Sequence, residues 1–100
     1  MKIILVCNQG VSTGIVARKM KEAATEQDIE LEIVAISDSD AEAQDLKADI
    51  VLLGPQIRYL KKKLQALTDV PVAVIDMRDY GMMNGKKIFL DTLNLIKENK

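Results

Sequence analysis

The chain has no histidine, no tryptophan and a single cysteine, and each absence removes a class of chemistry. Without histidine or a cysteine cluster, metal catalysis is disfavoured and no metal is expected. One cysteine cannot close an internal disulfide, and a thiol kept reduced suits a reducing compartment. One Phe and two Tyr leave few rings to stack on an isoalloxazine, so a flavin is disfavoured and no cofactor is expected. A formal net charge of −1 over 100 residues lacks the basic footprint of a nucleic-acid binder. Apolar runs such as Ile50-Val51-Leu52-Leu53 are far too short to cross a bilayer, and Met1-Lys2 leads into a strand-like run rather than a signal peptide. The expectation is a cytoplasmic chain with no membrane insertion. No repeat, low-complexity tract or linker interrupts it, which implies one domain over residues 1–100.

What is present is an alternation of short apolar runs with segments of helical period, the pattern of an α/β domain with parallel strands. Strands are expected at Lys2 to Val6, Leu31 to Ile36, Asp49 to Leu53 and Val72 to Ile75. Val16, Met20 and Ala23 or Ala24 share one face of a helix over Thr13 to Gln27. A second helix is expected over Asp38 to Leu46, capped by Asp38 or Ser39. The stripe Ile57, Leu60, Leu64 and Leu67 marks Gln56 to Leu67, and Phe89, Leu93 and Ile96 mark Gly85 to Lys97. Right-handed crossovers arrange these strands in an open four-stranded sheet of order 2-1-3-4, with helices on both faces.

That order brings three polar loops to one edge. Cys7-Asn8-Gln9-Gly10-Val11-Ser12-Thr13 follows the first strand, Gly54 to Tyr59 the third, and Asp76 to Gly81 the fourth. A cysteine after a strand is by itself compatible with a small buried hydrophobe. A Gly-punctuated, hydroxyl-bearing turn into a helix instead offers backbone N–H donors and a helix dipole, which suit a thiolate or a phosphate. Cys7 is therefore the candidate nucleophile, with Asn8, Gln9, Gly10, Val11, Ser12, Thr13 and Gly14 as its phosphate cradle. Gly54-Pro55 reads best as strand-to-helix punctuation. Arg58 and Tyr59 read equally as functional groups and as a solvated charge and a packing ring, and Lys61-Lys62-Lys63 as the wet face of its helix. Met82-Met83 fills a core gap or underlies a docking surface.

Low-molecular-weight tyrosine phosphatases and some arsenate reductases carry Cys-x5-Arg in a similar loop, whereas the sixth position after Cys7 is Thr13. Without the planar guanidinium fork, the strongest single stabiliser of a charged transition state is missing, and transfer fits the loop better than hydrolysis. A phosphatase, a flavodoxin-like carrier and an interaction module with an inert cysteine are the alternatives.

Three motifs in order then resemble a known family. Cys7 to Thr13 with Lys19-Met20, Leu52-Leu53-Gly54-Pro55-Gln56-Ile57-Arg58-Tyr59, and Pro71 to Gly85 including Asp76-Met77-Arg78-Asp79-Tyr80-Gly81-Met82-Met83 are similar to the IIB components of the lactose/cellobiose (chitobiose) family of the bacterial sugar phosphotransferase system. The resemblance implies a sheet like that of the low-molecular-weight tyrosine phosphatases. It also implies that Cys7 receives a phosphoryl group from a phosphohistidine on a IIA protein and passes it to a β-disaccharide of the cellobiose, lactose or chitobiose type, bound to a membrane IIC protein. Asn8-Gln9 stands where small residues are usual in this family, Val11 replaces Met and Gly14 replaces Ser, while Cys7 and Ser12-Thr13 are intact. Arg58, Tyr59, Arg78, Asp79 and Tyr80 are the accessory or docking candidates, Asp79 also as a proton donor by analogy with the phosphatases. Val11, Ile15 and Met82 or Met83 would supply apolar contacts to the partners.

Overall fold

The computed structural model describes residues 1–7, 10–43 and 45–98. Among them four strands, β1 (Lys2–Cys7), β2 (Glu32–Ser37), β3 (Ile50–Leu53) and β4 (Val72–Val74), form one sheet in the order β2-β1-β3-β4. Every pairing is parallel. The helices are α1 (Gly10–Glu26), α2 (Asp38–Ala43), α3 (Lys61–Leu67), α4 (Met77–Gly81) and α5 (Gly85–Glu98), with a 3₁₀ segment at Pro55–Leu60. This is the open 2-1-3-4 arrangement expected from the crossovers.

The period-2 geometry of β1 divides the core in two. Ile3 and Leu5 join Val16, Met20, Ala23 and Ala24 of α1, Tyr80 of α4 and Ile88 and Phe89 of α5 on one face. Ile4 and Val6 join Ala41 of α2, Ile57 and Leu60 of the 3₁₀ segment and Leu64 of α3 on the other. A central parallel strand covered on both sides must be apolar at every position, hence the unbroken Ile-Ile-Leu-Val run of β1 and Ile-Val-Leu-Leu of β3. Each fully buried aliphatic side chain contributes about 1.5–3 kcal/mol from leaving water. The outer strands differ: β2 is half-exposed along most of its length, and β4 has 3 residues, short enough to offer little free edge.

Several boundaries depart from the sequence expectation. α1 begins at Gly10 rather than Thr13, and Cys7 is the last residue of β1 rather than the first of a loop. The expected Gln56–Leu67 helix is interrupted at Ile57 (φ −119°, ψ 27°), which separates the 3₁₀ segment from α3. Leu67 ends α3 and is exposed, because Thr68 turns extended before the stripe can return to the core. Asp45 and Leu46, expected in the second helix, are not helical, and the N-cap of α2 is Ser37, whose Oγ accepts from the Asp40 N–H at 3.1 Å, not Asp38 or Ser39. On α5 the inward face is Gly85, Ile88, Phe89 and Thr92, with Leu93 and Ile96 half-buried beside it. The stretch expected as the loop after the fourth strand contains α4. Asp76 caps that helix by accepting from the N–H groups of Arg78 (2.8 Å) and Asp79 (3.2 Å).

Gly85 sets the spacing between α5 and α1. A Cβ there would lie 2.8 Å from the Met20 nitrogen and 2.9 Å from the Lys19 carbonyl carbon, so only glycine permits this approach.

Candidate functional site

The carboxyl edge of the sheet gathers the ends of all four described strands. Cys7 pairs in register with Ser37 at the end of β2. On its other side the chain leaving β3 is tied to β1 by the Gly54 N–H, which donates to the Val6 carbonyl at 2.9 Å. β4 follows, with the Ile75 N–H donating to the Leu53 carbonyl at 2.9 Å. Cys7 thus sits at the centre of the edge, beside the point where strand order reverses, the usual ligand position of open α/β sheets.

Cys7 is 6% exposed, which places its thiol at the bottom of the edge rather than on a protruding tip. Asn8 and Gln9 lie outside the described residues. The backbone from Gly10 to Thr13 forms the first turn of α1, a helix of 17 residues. Its first four N–H groups have no acceptor within the helix, and the first turn contains no acidic residue to answer the positive end of the dipole. Because α1 starts earlier than expected, only two residues separate those donors from Cys7. Gly14 is an exposed helical position where a Cβ would meet nothing within 4 Å, so no close backbone approach explains a glycine there.

The accessory candidates separate into two groups. Arg58, Tyr59 and Arg78 are exposed, Tyr59 at 72%, which removes the packing-ring reading of that residue. The Arg58 guanidinium donates from Nη1 to the Pro55 carbonyl at 3.3 Å, folding it back on its own turn. Asp79 and Tyr80 are buried instead. α4 turns Tyr80 into the core with Ile75 and Ile88. The buried Asp79 carboxylate accepts from Lys87 Nζ at 2.9 Å, which commits it to an ion pair rather than to the open edge. Lys87 also reaches Asp91 at 3.0 Å. The hydrogen bond to Asp79 first, and that to Asp91 second, raise Lys87 above the ordinary lysine range. Met83 packs against the core, while Met82 and Met77 are exposed, and Ile15 is half-buried.

One neighbour of Cys7 was not singled out in the sequence. A Cβ on Gly54 would lie 3.7 Å from Cys7 Cβ and 3.3 Å from Gln56 Oε1, so the Gln56 amide and the cysteine flank the same point. The only signal for this in the sequence is Gly-Pro-Gln itself, a residue without a side chain followed by one of fixed φ.

No helix among the described residues is long and apolar enough to cross a membrane. The profile of the family described as "PTS system, Lactose/Cellobiose specific IIB subunit" matches residues 2–91. The oligo-beta-mannoside-specific EIIB component of the PTS system of Bacillus subtilis (strain 168) is 44% identical over 98 residues, covering 95% of this chain and 95% of that protein. The lactose-specific IIB component domain of the phosphoenolpyruvate:carbohydrate phosphotransferase system from Streptococcus pneumoniae superposes with a TM-score of 0.81 over 94% of this chain and 95% of its own, at 13% identity, a likeness of fold. The solution structure of the cellobiose-specific phosphotransferase IIB component from Borrelia burgdorferi gives a TM-score of 0.76 at 34% identity, covering 98% and 93%.

Proposed function

The chain belongs to the lactose/cellobiose-specific IIB subunit family of the phosphotransferase system, and from that membership we propose that Cys7 is the residue that carries its phosphoryl group. IIB components work between IIA and IIC proteins. In this reading a phosphohistidine on a IIA protein is the donor, and a sugar bound by a membrane IIC protein on the cytoplasmic side is the acceptor. The single observation that carries it is the position of Cys7 at the end of β1, separated by two residues from the N-terminus of α1.

The first step is an in-line displacement. The Cys7 thiolate attacks phosphorus, the S–P bond forms as the P–N bond breaks, and the electron pair stays on the imidazole nitrogen; with the other ring nitrogen protonated, the donor leaves as neutral histidine. In the second step a sugar hydroxyl oxygen attacks phosphorus, the S–P bond breaks with its pair returning to sulfur, and the hydroxyl proton leaves to solvent. Between the two steps, amides from Gly10 to Thr13 and the end of the α1 dipole hold the phosphoryl oxygens, with Asn8, Gln9, Val11, Ser12, Thr13 and Gly14 completing the cradle. Positioning and charge stabilisation therefore supply most of the catalysis. The lack of an arginine at Thr13 disfavours transfer to water, as a carrier requires.

The Bacillus subtilis and Borrelia burgdorferi relatives are named as specific for oligo-beta-mannoside and cellobiose, which supports a β-linked sugar as the acceptor. Arg58, Tyr59 and Arg78, exposed beside the edge, are the contacts proposed for the partners. Sugar phosphorylation reconstituted with IIA and IIC proteins tests the reading. It should depend on this chain and vanish with Cys7→Ser, since a serine hydroxyl is a far weaker nucleophile near neutral pH.

A further inference from the structure

We infer that Gln56 contacts the phosphoryl group on Cys7, its side-chain amide donating a hydrogen bond to a phosphoryl oxygen in both transfer steps. This rests on Cys7 being the carrier. Three observations lead to it. The Gln56 amide and the cysteine border the same space, since Oε1 and Cys7 Cβ lie 3.3 and 3.7 Å from the point a Cβ on Gly54 would occupy. Among the described residues no side-chain hydrogen bond holds that amide elsewhere, although Gln56 is exposed and long enough to find one. Its backbone is nonetheless fixed, between Pro55 and the buried Ile57, whose N–H donates to the Gly54 carbonyl at 3.1 Å.

Gly54 supports the same conclusion from the other side. Its φ of −59° and ψ of 147° are open to any residue, so no backbone conformation demands glycine. What its missing side chain provides is the space over which the Gln56 amide lies. A methyl group there would press on Oε1 and move the amide away, while leaving the backbone undisturbed.

The terminal amide presents either Oε1 or Nε2 after a half-turn of its last torsion, so an arriving anion selects the N–H₂ end. No proton moves to or from the glutamine in either step. A neutral donor stabilises the phosphoryl oxygens less than an arginine fork would. That suits a group which must be held briefly and then released to a sugar.

The test compares the wild-type chain with Gln56→Met, Gln56→Glu, Gly54→Ala and the Gly54→Ala/Gln56→Met double variant. The rate of mass gain from a phosphohistidine-bearing IIA protein, the thermal midpoint, and the Gln56 side-chain amide signals are measured before and after phosphorylation. Loss of one hydrogen bond to a charged group predicts uptake about ten- to a hundred-fold slower in Gln56→Met, with an unchanged midpoint. Gln56→Glu should be slower still by repulsion. Gly54→Ala should match Gln56→Met, and the double variant should be no slower than the slower single one. In the wild type the Gln56 amide signals should shift on phosphorylation. A Gln56→Met chain as fast as wild type, effects of the two sites that multiply, or unshifted amide signals overturn the inference while leaving Cys7 as carrier. A wild-type chain that gains no phosphoryl group overturns both.

Discussion

Lys87 Nζ lies 2.9 Å from Oδ2 of Asp79, and this ion pair joins the start of α5 to α4 across the turn at Met82 to Asn84. The Asp79 side chain is 9% exposed, so the pair is anchored in the structure on its acidic side and wet on its basic side. Asp79 thereby helps to place α4 against α5.

The pair gives a pH dependence with a definite sign. Asp79 and Asp91 raise Lys87 above its unfolded value, so its stabilising effect is complete below about 10.4 and is lost as the pH climbs beyond that. Lys87→Met should lower the denaturation midpoint at pH 7, by leaving the buried carboxylate without its cation. The difference from wild type should stay constant up to about pH 10 and shrink above it. Denaturant titrations at pH 7, 9 and 11 check this. A gap that is unchanged between pH 9 and pH 11 would contradict it.

Asp76 is a second anchor of α4. Asp76→Ala removes two capping hydrogen bonds and should cost about 1 kcal/mol, with Asp76→Ser recovering much of it. Equilibrium unfolding by urea measures both. Equal stability of all three proteins would show that the cap does not hold the helix.

Gly85 governs how closely α5 approaches α1. Gly85→Ala places a methyl group against backbone atoms of Lys19 and Met20, which cannot yield as a side-chain tip would. The expected loss is about 1–3 kcal/mol from overpacking. Because α1 also carries the amides beside Cys7, the amide signals of Gly10 to Thr13 should shift in this variant. A loss of stability with those signals unmoved would mean that α1 yields only near Lys19.

Much of this arrangement was legible in the sequence because the relevant physics is local or nearly so. The apolar runs of β1 and β3 announce strands covered on both faces, the spacing of Val16, Met20, Ala23 and Ala24 matches their buried positions, and right-handed crossovers with helices on both faces agree with the observed strand order. Cys7 stood out by its neighbours. The parts that were not legible depend on tertiary contacts. α4 is only 5 residues long, too short for a periodic signal, though Asp76 followed three residues later by Asp79 is a capping pattern. The inward turn of Tyr80 depends on where that short helix docks. The nearness of Gln56 to Cys7 depends on a missing side chain at Gly54, which no spacing rule registers. The early start of α1 at Gly10 likewise replaces weak helix formers' local preference with packing of the whole helix against the sheet and α5.

If Cys7 alone carries the phosphoryl group, intact-mass measurement after mixing with a phosphorylated IIA protein will show it. The wild-type chain should gain one phosphoryl group, located by fragmentation to Cys7, lost again when the acceptor sugar and its IIC protein are added, and absent from Cys7→Ser. A chain that gains no mass, or a Cys7→Ser chain that gains it equally, would contradict the claim.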